Sequence, residues 1–297
     1  MDYTELIRGA YDLHVHSAPD IMPRRLDDID MAGRLQGSGI AGYAIKSHFF
    51  CTSERAQLMQ RIYPEVEFIG TLTLNSALGG LNPAAIEMAA RSGVRLVWFP
   101  TWNNSHDRDH AFQGDPGKQH YWVRVVRELQ EAGVEVPAIS CLDENGELKK
   151  EVLDILDIIA KYDIILATGH ISHQEAYKLV PEAAGRGVKN IIITHVDWPG
   201  TYYSIEDQKM FAGYGAKMEH CYHTLTGGKC TLETTVEQIR AMGPENCLLS
   251  TDLGQKTDVY PEEGLLQFAS RLYDAGFTAG EIRTMTVTNP RRLLGKE

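Results

Sequence analysis

A chain of 297 residues and 33.2 kDa is long enough for one α/β barrel or for two smaller domains. Its 43% hydrophobic and 23% charged residues are ordinary globular composition, which excludes a disordered, collagen-like or disulfide-scaffold chain. Its 29 basic against 40 acidic residues give a formal net charge of −11, a field that repels phosphate backbones and anionic lipid, so neither nucleic acid nor a membrane is expected as partner.

The opening segment MDYTELIRGAYDLHVHSAPD is charged throughout and has no apolar run of signal or membrane-span length, so the chain reads as cytoplasmic. Short β-rich apolar runs then recur with helical patterns between them: YDLHVH (11–16), GYAIKSH (42–48), EFIGTLTL (67–74), RLVWFPT (95–101), IILATGH (164–170), IIITHV (191–196), KMEHCY (217–222) and CLLSTD (247–252). Six of the seven start-to-start gaps are 25 to 31 residues, one βα unit each, and the gap from the fourth run to the fifth is 69. That pattern predicts an α/β fold, a (β/α)8 TIM-type barrel with an insertion after strand 4, over residues 1–297 as a single domain; an open doubly wound sheet is the alternative. The insertion carries a polar loop through His106 and His110, a helical pattern YWVRVVRELQEAG, and Asn145-Gly146 as a hairpin turn. A polar lid is the expected form of HDRDH; a histidine pair four residues apart would need a helix there.

GSGIAG (37–42) matches a dinucleotide-binding spacing but precedes a strand, so its glycines read as a helix stop and a tight turn. The five cysteines, at 51, 141, 221, 230 and 247, include no C-x-x-C pair and read as reduced thiols.

Candidate metal ligands gather at the C-terminal ends of these strands, where barrel enzymes build their sites. His14 and His16 lie two apart on strand 1, so a period of two points both toward the lumen. His170 ends strand 5, His195 ends strand 6 and Asp252 ends strand 8. A lone histidine is usually a hydrogen-bonded or surface residue; four histidines and an aspartate at four strand ends point to a metal. Lys46 and His48 could both face the lumen from strand 2, and one of Glu219, His220 and His223 is expected to contact substrate, His220 among the candidates. His173 and Asp197 either orient His170 and His195 or cap helices; Trp98, Trp102 and Trp198 either wall an apolar pocket or are core; Arg24 and Arg25 read as surface charges.

Through DLHVH (12–16), GH (169–170), TH (194–195), TD (251–252) and the closing VTNPRRLLG (287–295), the chain resembles the amidohydrolase superfamily of metal-dependent hydrolases. The resemblance implies a divalent metal, one or two per chain, with zinc favoured by the imidazole donors. His14, His16 and Asp252 would hold the more buried ion, and His170 and His195 a second ion or the substrate. Many members bridge two metals with a carboxylated lysine or a glutamate at the end of strand 4, and RLVWFPTW offers neither. Lys46 is therefore open to three roles: a displaced bridge, a cation for a substrate carboxylate or oxyanion, which is favoured, or a surface residue. Without a bridge, His14, His16, His170 and Asp252 would form a mononuclear site, freeing His195 for acid/base work.

The reaction so implied is hydrolysis of an amide, lactam, lactone or ester of a small molecule by metal-activated water. Asp252 would move the proton and Lys46 or His195 would stabilise the oxyanion. Two enzymatic alternatives remain: a mononuclear decarboxylase of the same superfamily, and a PHP-type phosphoesterase, which the H-x-H and His48 resemble but the KSH and GTLTLN segments do not. A barrel holding metal as a structural or sensing element is the non-enzymatic alternative.

Overall fold

The computed structural model describes residues 3–111 and 121–296. Its eight strands are β1 (Tyr11–Val15), β2 (Gly42–Ile45), β3 (Glu67–Thr73), β4 (Leu96–Trp98), β5 (Ile165–Ala167), β6 (Ile191–Ile193), β7 (Lys217–Cys221) and β8 (Cys247–Ser250). They form one parallel sheet in the order β1 to β8. The sheet closes through a parallel bridge from Val15 to Leu253, with Asp252 N donating to His14 O (2.8 Å) and His16 N to Leu253 O (2.9 Å). The closing seam is therefore made by backbone on either side of the H-x-H segment and Asp252.

All eight expected strands are present, but most stop several residues short of the apolar run. The chain leaves the ladder there to form the loops that carry His16, Lys46, His170, His195 and Asp252. His195 and Asp252 have φ of +52° and +53°, a conformation uncommon for residues with a side chain and often found at functional sites.

Two apolar layers hold the barrel. Leu13, Ala44, Ile69, Trp98, Ile192 and Leu248 fill the lumen, and Leu293 and Leu294 pack beneath them at the strand-start end, where Arg95 donates to Leu294 O. Outside, helices cover the strands. The helix Lys150–Lys161 buries Val152, Ile155, Leu156 and Ile159, a stripe at helical spacing. Each such aliphatic side chain contributes about 1.5–3 kcal/mol. Helix starts are set by side-chain caps, as at Ser172 with Glu175 and at Ser204 with Asp207. Gly39, at φ +79°, ends the helix Asp28–Ser38, the helix-stop role expected for that glycine segment.

The insertion lies between β4 and β5. The stretch expected as a polar lid is a helix, Ser105–Ala111, because Asn104 Oδ1 accepts from His106 N and caps its start. His106 turns away from the site to Gly200 O (3.0 Å), and the side chain of His110 lies outside the described residues. The helix Tyr121–Glu131 packs Trp122, Val123 and Val126 against Phe49 and Trp102. The hairpin turn at Asn145-Gly146 is present, as an antiparallel bridge between Leu142 and Leu148. Among the described residues, no helix is long and apolar enough to cross a membrane.

Candidate metal centre

A β-bulge aims His14. Asp12 pairs with Tyr43 and Val15 with Ile45, so Leu13 and His14 together oppose Ala44 alone. Leu13 packs in the lumen and His14 also faces inward, against Trp98 and His195. His16 follows on the same side. Gly254, beyond β8, makes the close approach possible: a Cβ there would stand 1.8 Å from His16 O, and its φ is +136°.

The two rings converge on one oxygen. Nε2 of His14 lies 3.0 Å and Nε2 of His16 lies 3.2 Å from Oδ1 of Asp252. Their other nitrogens are engaged, Nδ1 of His14 with Glu219 (3.2 Å) and Nδ1 of His16 with the carbonyl of Lys46 (3.1 Å) and Nη2 of Arg24 (3.2 Å). A ring that donates from Nδ1 presents a bare lone pair at Nε2. Two such lone pairs and a carboxylate oxygen repel unless a cation or proton stands among them, and this donor set suits a divalent metal.

Burial works against charge on Asp252, yet His14 and His16 hold its carboxyl well below the ordinary carboxylate range. Burial and Lys46 both oppose a proton on His14, and the carboxylates of Asp252 and Glu219 outweigh them, so its pKa stands above the usual histidine value. Burial, with Arg24 nearby, pushes His16 well down.

Lys46 is buried, not a surface residue. Gly42, Ala44 and Lys46 share a parity on β2, which brings Nζ to 2.6 Å from His14 Nε2 and 4.8 Å from the centre of the Trp98 ring. Burial lowers its pKa from the ordinary lysine value. His48, on the same parity, stacks on His16 with ring centres 4.9 Å apart and bonds Thr101 Oγ1. His195 Nε2 stands 3.7 Å from Asp252 Oδ2, while its buried Nδ1 has no hydrogen-bond partner. His170 meets His195 ring to ring at 5.5 Å and bonds Asp107 through Nδ1, so it belongs to the site wall and not to the His14, His16 and Asp252 cluster.

Three expectations need correction. His220 does not reach the site: it faces outward from β7 and bonds Asp197 (3.0 Å), which also accepts from Thr235. Glu219 and Cys221, on the opposite parity, face His14. Arg24 is not a surface charge, because Asp20 holds its guanidinium at 2.7 Å and turns it onto His16. His173 and Asp197 neither orient His170 and His195 nor cap helices; His173 stacks on Tyr203, Asp197 bonds His220 and Thr235, and Ser172 is the cap.

Above the cluster lies a cavity of about 120 Å³, walled by Trp102, Trp122 and Trp198 and by Arg24, His48 and Lys229. Trp98 is beneath it, as core. Asp107 and Lys229 were not singled out from the sequence. Asp107 was hidden in a segment read as loop, and Lys229 follows a Gly-Gly turn that gives no parity.

A parallel barrel carries a candidate metal-donor cluster at the C-terminal ends of its strands, and solved structures share the barrel fold. An amidohydrolase from Pseudomonas aeruginosa matches over 99% of this chain and 98% of its own at 10% identity, TM-score 0.65. Dipeptidase AC, a metallopeptidase of family M19, matches over 97% and 98% at 11% identity, TM-score 0.60. A triple mutant of organophosphorus hydrolase from Deinococcus radiodurans matches over 97% and 94% at 14% identity, TM-score 0.55. What these structures share with the chain is the barrel fold. The chain itself belongs to the family described as a family of unknown function (DUF6282), whose profile matches residues 9–219. No curated protein sequence matches it.

Proposed function

We propose that this protein is a metal-dependent hydrolase of small molecules, with His14, His16 and Asp252 holding a divalent ion. The observation that carries the reading is the convergence of two imidazole Nε2 atoms on Asp252 Oδ1 beneath an aromatic-walled cavity. Similarity of fold to an amidohydrolase, a dipeptidase and an organophosphorus hydrolase supports it. Zinc is the proposed ion because nitrogen donors predominate.

Such an ion supplies Lewis acidity to a carbonyl and to water. The chain's own groups do the rest. Asp252 turns Oδ1 to the two histidines, which leaves Oδ2 to accept a proton from attacking water and return it to the leaving nitrogen or oxygen. Lys46 Nζ donates to the developing oxyanion. The tryptophan walls exclude bulk water and strengthen both interactions. The ring of Trp98 fills the lumen on β4, where a bridging lysine or glutamate would stand, which favours a mononuclear centre at these three ligands.

The test is turnover of a panel of amides, lactams, lactones and esters, with and without a free carboxylate, by zinc- and manganese-loaded protein beside Asp252→Asn. Hydrolysis that falls about 10²–10⁴-fold in the variant supports the reading. Release of CO₂ from an unsaturated acid without hydrolysis would replace it with the decarboxylase.

A further inference from the structure

His14 has a second polar face that the proposed reaction does not use. Nδ1 lies 3.2 and 3.3 Å from the two carboxylate oxygens of Glu219 and 3.8 Å from Sγ of Cys221. His14, Glu219, Cys221 and His195 each offer one donor atom, and all four atoms lie within 4.8 Å of one another. The exposure of these residues is 0%, 1%, 0% and 5%, so every donor is withdrawn from bulk water. Within this group, Nδ1 of His195 is a buried polar atom with no hydrogen-bond partner.

We infer that these four residues form a second, thiolate-containing metal site behind the first, with the His14 ring shared between the two. The inference rests on reading His14 as a metal ligand. Tetrahedral zinc, with bonds of about 2.0–2.1 Å to nitrogen and about 2.3 Å to sulfur, holds its ligand atoms about 3.3–3.6 Å apart. The Glu219 and Cys221 distances to His14 Nδ1 lie near those edges. One imidazole, one carboxylate, one thiolate and the His195 ring make a closed four-ligand shell, the form of a structural centre. This site differs from the one implied by the superfamily resemblance, which puts a second ion on His170 and His195; here Asp107 holds Nδ1 of His170, and that residue is in neither donor group. Loading breaks the S–H bond of Cys221 and the N–H bond of His14 and releases both protons to solvent, with no change of oxidation state.

Cobalt(II) titration of the whole protein tests this, read by absorption beside Cys221→Ser and His16→Ala. The wild type is expected to take up about two equivalents, one of them giving a near-ultraviolet thiolate-to-cobalt charge-transfer band. Cys221→Ser loses the band and keeps the other equivalent, while His16→Ala keeps the band. X-ray absorption at the zinc edge of loaded wild type gives an independent reading that needs no variant, a sulfur shell at about 2.3 Å. A loaded wild type without the band or the sulfur shell, or a band that survives in Cys221→Ser, overturns the inference. One equivalent without sulfur removes the second site and leaves the proposed function standing; no bound metal removes both.

Discussion

His14 and Asp252 are joined twice, by a backbone hydrogen bond from Asp252 N to His14 O at 2.8 Å and by the approach of His14 Nε2 to Asp252 Oδ1 at 3.0 Å. The first contact closes the barrel between β8 and β1, and the second assembles the donor set. Fold closure and site geometry are therefore one structural event. Gly254 supports both, since its backbone packs against His16 O with no room for a side chain. Gly254→Ala is expected to destabilise the protein by at least the 1–3 kcal/mol typical of a strained backbone residue, about that or more, and to weaken zinc binding. Chemical denaturation and zinc titration check this; unchanged stability with wild-type affinity contradicts it.

Glu219 fixes the tautomer of His14 from β7. Replacing it by Gln keeps the shape and removes the charge that favours a proton on Nδ1 and a lone pair on Nε2. With one equivalent of zinc, before the site behind the His14 ring fills, Glu219→Gln should lower the affinity of the His14, His16 and Asp252 site about 10–100-fold, measured by competition with a chromophoric chelator. An unchanged affinity would mean that His14 needs no such partner.

Lys46 separates two accounts of the site. As a cation acting on the oxyanion, Lys46→Met should bind metal at least as tightly as wild type, because a positive charge beside the donors is gone, while kcat falls about 10²–10³-fold. Metal analysis of the variant decides: loss of an equivalent with Lys46 would show it to be a ligand.

The outward histidine makes the opposite prediction. His220→Ala removes a buried hydrogen bond to Asp197 on the far side of β7 and should cost about 1–3 kcal/mol of stability with no change in metal content. Denaturant melts and elemental analysis of the same preparation read the two effects separately.

The strands and the H-x-H pair were legible because short β-rich runs alternate with helical patterns at barrel spacing. Lys46 and His48 were legible too, since Gly42 and Ala44 share their parity on an unbroken strand. The bulge at Leu13 and His14 was not, because it exists only in the pairing with β2. On β7 the sequence offered Glu219, His220 and His223 without a reference point. The reference is Met218, which packs in the outer core and so sends His220 outward and Glu219 inward. Arg24 looked like a surface charge until the fold brought Asp20 around it. His170 ends its run as His195 does, yet the helix Ser105–Ala111 brings Asp107 to it and leaves it on the wall.

The proposed function stands on a divalent ion at His14, His16 and Asp252. Elemental analysis of protein purified without chelators or a metal-binding tag, before and after incubation with zinc or manganese, measures it most directly beside the His14→Ala/His16→Ala double variant. At least one equivalent per chain is expected in the wild type and near none in the variant, with the far-ultraviolet circular dichroism of the barrel retained. A wild type that binds no metal after incubation, or a variant that keeps the full wild-type content, would contradict the proposed function.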